Sequence, residues 1–232
     1  MNKTFNHIPP PKNIQELSTV NEDNARYYQT PNNRKYPSVT TVCGFEKARF
    51  FAKWRAENPV EAKRTTDRGN VLHEACENYL NNEPVGELAS NEAMLFNNLK
   101  RSLHRINNIR AQEVPLWSHT LRLAGRVDCV AEFDGKLSII DFKGSTRRKS
   151  PSKIVNYFCQ ATAYSIMWHE MMGEEIEQIV MPPFAFPVRR SKSVGLDMLG
   201  AVKRAAQLLE ALIQLLQACM PVVAAHDQHE VV

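Results

Sequence analysis

Asp128, Asp141 and Lys143 stand in the stretch GRVDCVAEFDGKLSIIDFKGS, residues 125–145. Each aspartate sits among Val, Ile, Leu, Phe and Cys, where an unpaired charge is costly to bury. Asp134-Gly135 between two apolar runs is a two-residue hairpin signal, and such a turn fixes the register of its strands. Counting outwards, Phe133 faces Lys136, Glu132 faces Leu137, Ala131 faces Ser138, Val130 faces Ile139 and Cys129 faces Ile140. Asp128 then faces Asp141, with Cβ atoms about 4.5–5.5 Å apart, a spacing at which like charges repel. A divalent cation offsets that repulsion, and Mg²⁺ and Mn²⁺ prefer carboxylate and water oxygens. Alternation returns Lys143 to the face of Asp141. A lysine there can hold a phosphate or lower the pKa of an attacking water. The plainer reading is a surface hairpin whose acids face solvent. Against it, Val127, Cys129, Ile140 and Phe142 make the other face apolar too, the mark of a strand covered on both sides.

Two more groups have chemical potential. His73 and Glu77, four apart on an expected helix, share a face, with Gly69 one turn earlier. Histidine is a common metal ligand and glycine admits close backbone approach; an ordinary surface His–Glu pair fits the same spacing. Tyr157, Gln160 and Tyr164 line one face of the helix after the hairpin. They could contact phosphate or stack on a base, or pack as a core stripe. Arg147, Arg148, Lys149 and Lys153 follow Lys143 closely, where a nucleic-acid backbone would need cations. Arg189, Arg190 and Lys192 form a second basic cluster.

These residues need elements to position them. Residues 1–36 are polar, with the Pro9–Pro11 triplet, and read as an extended or weakly ordered arm. Residues 36–42 fit a short strand or the start of a helix, and residues 44–58 have helical spacing that breaks at Asn58-Pro59. Helices are expected over residues 59–80 and 91–109. Strands follow over 114–123, 125–133 and 136–142. A helix over 152–172 stops at Gly173. A last strand is interrupted by Pro182-Pro183, and a long amphipathic helix covers 191–220. This order predicts a single mixed α/β or α+β domain.

Composition narrows the classes. The chain has 232 residues, 43% hydrophobic and 23% charged, with net charge +4. That is an ordinary globular composition, mildly basic and compatible with a nucleic-acid partner. Cys43, Cys76, Cys129, Cys159 and Cys219 are scattered with no C-x-x-C, which argues against zinc ribbons and disulfide frameworks. No segment approaches a membrane span and the N-terminus has no apolar signal region, so a cytoplasmic protein is expected, in the host cytoplasm if phage-encoded.

Taken together, GNVLHEACE with His73, GRVDCV with Asp128, IIDFKGS with Asp141 and Lys143, and YFCQATAY with Gln160 and Tyr164 resemble the PD-(D/E)xK nuclease superfamily in its RecB-like branch. The motifs occur in family order from Gly69 to Tyr164. PSVTTVCGFEKARFFAKWR also looks like the opening of the mitochondrial genome-maintenance exonucleases and their phage relatives. The resemblance implies a restriction-endonuclease-like α/β core, with a mixed central sheet and antiparallel hairpin flanked by helices. Residues 37–222 would form the nuclease domain, helical in its N-terminal part, and 223–232 a flexible tail. It further implies Mg²⁺- or Mn²⁺-dependent phosphodiester hydrolysis. His73, Asp128, Asp141 and the Phe142 carbonyl would be metal ligands, and Glu77 a further candidate. Lys143 would orient or activate the water. Gln160 and Tyr164 would support the site or the DNA, with Tyr157, Arg147, Arg148 and Lys149 on the DNA side. Some RecB-like nucleases carry an iron–sulfur cluster held by four cysteines; with Cys219 the only late cysteine here, that cluster is not expected.

The expected substrate is DNA, as single strands or free ends, in replication, recombination or repair, with replication or recombination proteins as partners and no membrane. A structure-specific or restriction-type endonuclease, and a non-catalytic DNA-binding accessory protein, are the rival readings.

Overall fold

The computed structural model describes residues 3–22, 25–143, 151–182 and 184–187. Strands β1 (Ser18–Glu22), β2 (Ala25–Gln29) and β3 (Lys35–Pro37) form a three-stranded antiparallel sheet. Helices α1 (Val39–Glu57), α2 (Pro59–Leu80) and α3 (Ser90–Leu103) follow. Then come β4 (Ile106–Ser118), β5 (Leu123–Phe133), β6 (Lys136–Ile140), α4 (Pro151–Met172), β7 (Gln178–Met181) and β8 (Phe184–Pro187). The second sheet has the order β4-β5-β6-β7-β8, antiparallel except for the parallel β6–β7 pair. A parallel pair needs a crossover, and α4 provides it. The chain therefore has a mixed sheet flanked by helices, as the sequence predicts. Among the described residues no helix is long and apolar enough to cross a membrane.

Both faces of the larger sheet are covered, because its central strands are apolar on both sides. Val130, Ile139 and Ile179 pack with Val39, Val42 and Cys43 of α1 and with Phe158, Met167 and Trp168 of α4. The alternate residues Cys129, Ala131, Ile140 and Val180 pack with Leu72, Cys76 and Leu80 of α2 and with Leu95, Leu99 and Leu103 of α3. At roughly 1.5–3 kcal/mol for each large side chain removed from water, these two layers supply the fold's driving force.

The hairpin register matches the count from the turn. Asp134 and Gly135 have φ of 51° and 75°, the left-handed pair that a two-residue turn of this kind requires. The ladder runs from Phe133↔Lys136 to Cys129↔Ile140 and stops. Asp128 and Asp141 lie just beyond its last rung, so they are neighbours without forming a laddered pair. The Asp141 amide instead donates to the Val180 carbonyl of β7 at 2.9 Å.

Helix ends follow local chemistry. Ser38 caps α1: its Oγ accepts from the Thr41 amide at 3.0 Å. Pro59 opens α2 at the position where a missing N–H costs nothing. Gly173, with φ of 78°, ends α4 as expected. Residues 36–42 turn out to be both alternatives at once, the end of β3 and the start of α1.

Three expectations need correction. The polar lead-in is not simply an extended arm. It carries β1–β3 and is anchored by buried Phe5 and Leu17. The helix expected over 91–109 ends at Leu103. Ile106 and Ile109 continue its spacing, but Ile106 pairs with Phe133 and both isoleucines are buried as part of β4. The strand expected over 125–133 begins earlier, at Leu123, while the one expected from 114 begins at Ile106 and ends at Ser118. The amphipathic helix expected over 191–220 lies outside the described residues.

One part of the fold is not packed at all. Every described side chain from Phe45 to Asp67 is exposed or half-buried. Phe50, 67% exposed, and Phe51 make an edge-to-face pair in the open. Ion pairs within helices (Lys53–Glu57, Lys63–Asp67, Glu61–Arg64) lace this hairpin of helices along its surface.

Candidate metal-dependent active site

Where the hairpin ladder ends, four elements converge. His73 comes from the packed half of α2, Glu113 from β4, Asp128 from β5 and Asp141 from the residue after β6. His73 Nδ1 lies 3.5 Å from Asp128 Oδ2 and 3.8 Å from Glu113 Oε1. One ligand atom from each of His73, Glu113 and Asp128 falls within 4.8 Å of the others, a grouping that could hold a metal ion. The Phe142 amide donates to Asp128 Oδ2 at 2.7 Å and fixes that carboxylate. Phe142 itself is buried, its ring edge-on to His73.

Asp141 is 6% exposed. Its Oδ1 accepts from Lys143 Nζ at 2.8 Å, whereas Oδ2 is buried with no hydrogen-bond partner. A buried carboxylate oxygen left unsatisfied is costly, and a cation is the natural ligand for it. The donor set of carboxylate oxygens and one imidazole suits a hard or borderline divalent ion. Lys143 is held on its other side by the Tyr157 ring, whose centroid lies 5.2 Å from the ammonium.

The electrostatics express this crowding. Burial, reinforced by the neighbouring Asp141 carboxylate, pushes the Asp128 pKa up to about 7. Burial alone would lower the His73 pKa, but its hydrogen bond to Glu113 and the Asp128 charge outweigh it and the net shift is upwards. Lys143 follows the same logic: desolvation disfavours its charge, and Asp141 and Asp128 more than restore it. Glu77 is raised by burial and by Glu113.

The structure thus gathers His73, Asp128, Asp141 and Lys143, all expected from the sequence. Glu77 lines the same cleft but is not in the ligand grouping; Glu113 takes that place among the described residues. Glu113 was not expected. It has φ of 46°, a strained conformation for a non-glycine residue that often marks a functional site. Its position follows from the rungs Gln112↔Cys129 and Val114↔Val127, which bracket Asp128. The counting argument did not reach it, because β4 and β5 are joined not by a two-residue turn but by the four residues between Ser118 and Leu123.

Gln160 is half-buried on α4, between Tyr157 and Tyr164. Tyr164, expected to support the site or the DNA, is 5% exposed, within the core that joins α4 to the sheet. Its hydroxyl lies 2.7 Å from where a Cβ on residue 125 would sit, so Gly125 is what admits it. Arg147, Arg148 and Lys149 lie outside the described residues, as do the second basic cluster and Cys219.

A cleft of about 540 Å³ opens beside the grouping, lined by Thr65, Thr66, Gly69, Asn70, His73, Glu74, Glu77, Glu113 and Arg126. Gly69 is therefore at the cleft wall, one turn from His73.

Comparison with known proteins agrees with this geometry. A model of the PD-(D/E)XK nuclease superfamily matches residues 89–229, more than half the chain. Glu113, Asp128, Asp141 and Lys143 lie inside that span and His73 before it. The human protein called mitochondrial genome maintenance exonuclease 1 is 34% identical over 85 residues, covering 35% of this chain and 25% of that protein. Its mouse counterpart is 28% identical over 130 residues, covering 49% of this chain and 38% of that protein. The chain thus spans well under half the length of the curated relatives it matches.

Proposed function

Because the chain belongs to the PD-(D/E)XK nuclease superfamily, we propose that it is a metal-dependent DNA exonuclease acting on single strands or free ends. The observation that carries this reading is the Asp141–Lys143 pair, with an unpartnered Asp141 oxygen beside the His73–Glu113–Asp128 grouping. The names of the human and mouse relatives support the exonuclease part.

His73, Asp128, Asp141 and the Phe142 carbonyl are the proposed metal ligands, with Glu113 added on geometry and Glu77 at the margin. When bound, Mg²⁺ or Mn²⁺ supplies charge neutralisation at the scissile phosphate and lowers the pKa of a water. Lys143 orients the attacking water, its ammonium held in place by Asp141 and Tyr157. The water oxygen releases a proton to solvent as it bonds to phosphorus in line, the P–O ester bond opposite it breaks, and the departing oxygen takes a proton from solvent. Asp128, fixed by the Phe142 amide, keeps the acidic cluster in register. Gln160 and Tyr164 support the site from α4, and Tyr157 with Arg147, Arg148 and Lys149 contacts DNA. We place the enzyme in the cytoplasm, serving replication, recombination or repair.

The test is digestion of end-labelled single- and double-stranded DNA, linear and circular, with Mg²⁺, with Mn²⁺ and with chelator. Metal-dependent loss of linear substrate with circles intact is the expected result. Cleavage of circles points to an endonuclease. If Asp141→Ala and Lys143→Ala digest DNA as fast as the native chain, the nuclease centre has been placed wrongly.

A further inference from the structure

The cleft has an electrostatic problem. It is lined by Glu74, Glu77 and Glu113, yet it must admit a polyanion. Arg126 is the only arginine or lysine among the described lining residues. It stands two positions before Asp128 on β5, about 6.6 Å away at 3.3 Å per residue. That is roughly the separation of adjacent phosphates along an extended strand. Its guanidinium is already engaged by an anion. The Glu16 carboxylate, from the segment before β1, sits across it with Nη1–Oε1 at 3.4 Å and Nη2–Oε2 at 2.5 Å. Nη1 also donates to the Glu113 carbonyl, which aims the group along the cleft wall. A guanidinium fork presented two-point to a carboxylate has the geometry that also takes a phosphate. The Glu16 side chain itself is 70% exposed.

We propose that Arg126 is the subsite for the backbone phosphate adjoining the scissile one, and that Glu16 occupies it as a displaceable anion until nucleic acid arrives. The proposal rests on the reading that the substrate is DNA. It adds a cation that offsets the acidic lining and an N-terminal carboxylate that competes with the substrate. An exposed ion pair is a weak competitor, so displacement costs the substrate little.

The test is fluorescence anisotropy of a labelled single-stranded oligothymidylate in EDTA over a salt series, so that hydrolysis does not intervene. Glu16→Gln should tighten binding by up to about fivefold, the factor an exposed pair can supply. Arg126→Gln should weaken it by about tenfold and flatten the log–log salt slope by about 0.7, one phosphate contact on a single strand. Arg126→Lys should restore the slope while recovering only part of the affinity. The double variant should bind like Arg126→Gln alone, since Glu16 acts through Arg126. Unchanged affinity in Glu16→Gln overturns the competition. An unchanged salt slope in Arg126→Gln, with weakened Mn²⁺ binding in a separate titration, makes Arg126 a support for Glu113 instead. Because binding is read without turnover, a failure here is separate from a failure of the nuclease assay.

Discussion

From Leu72 to Leu80, α2 buries Leu72, Ala75, Cys76, Tyr79 and Leu80; from Pro59 to Asp67 the same helix buries nothing. His73 stands just inside the packed half, and Thr65, Thr66 and Gly69 line the cleft from the open half. One continuous helix therefore gives a rigid mount for a ligand and a free wall for the substrate. α1 repeats the division in reverse order, with Val39, Val42 and Cys43 in the core and residues 45–57 outside it. On the proposed reading, buried contacts hold the metal-ligating groups in place, whereas a surface that lets a strand pass gains from having none.

The sharpest way to break this contrast is a pair of truncations on α2. Leu72→Ala, on a residue with no exposed surface, should cost about 2–5 kcal/mol. Val60→Ala, on a residue 81% exposed, should stay within about 0.5 kcal/mol. Both are read as denaturant midpoints at constant slope. Equal losses would mean that the open half is packed after all. Next in size is Gly125→Ala. The added methyl meets the Tyr164 hydroxyl at 2.7 Å and should cost about 1–3 kcal/mol by overpacking, with a matching fall in melting temperature. An unperturbed melting curve would show that Tyr164 has room to move.

pH also separates the two halves. Asp128 has a pKa near 7 in the folded state, above the usual 3.8, so the folded chain holds a proton that the unfolded chain has released. Stability of the metal-free protein should then fall as pH rises from about 4 to about 7. His73, also raised, loses its contribution in the same direction as pH passes its folded value. Asp128→Asn should flatten the melting temperature over that window, and a flat profile in the native chain would contradict the shift. Substitutions on the open half should leave the profile unchanged. The smallest expected effect is Phe50→Ala, within about 0.5 kcal/mol by the same unfolding measurement. Amides of residues 45–67 should exchange faster than those of residues 72–80.

The contrast also explains what the sequence disclosed. The hairpin register was readable because Asp134-Gly135 forces it, and with it the neighbourhood of Asp128, Asp141 and Lys143. α4 was readable because Gly173 ends it. β1 was not, since all five of its residues are exposed and leave no alternation to detect. The start of β4 was hidden because Ile106 and Ile109 continue the helical spacing of α3, and only pairing with β5 decides between them. Glu113 was one charged residue among several until the pairing of β4 with β5 set it beside Asp128. Tyr164 was left with two readings, a contact for nucleic acid or part of a core stripe, because helical spacing fixes a face but does not say what that face meets.

The amide bond from Asp141 to Val180 sets an order of assembly. His73, Glu113, Asp128, Asp141 and Lys143 all leave the ribosome before β7 does, yet the backbone of Asp141 is pinned only when β7 docks beside β6 across the α4 crossover. Until then the backbone of Asp141 lacks that partner. A nascent chain holding every acidic residue of the centre is still not an assembled one.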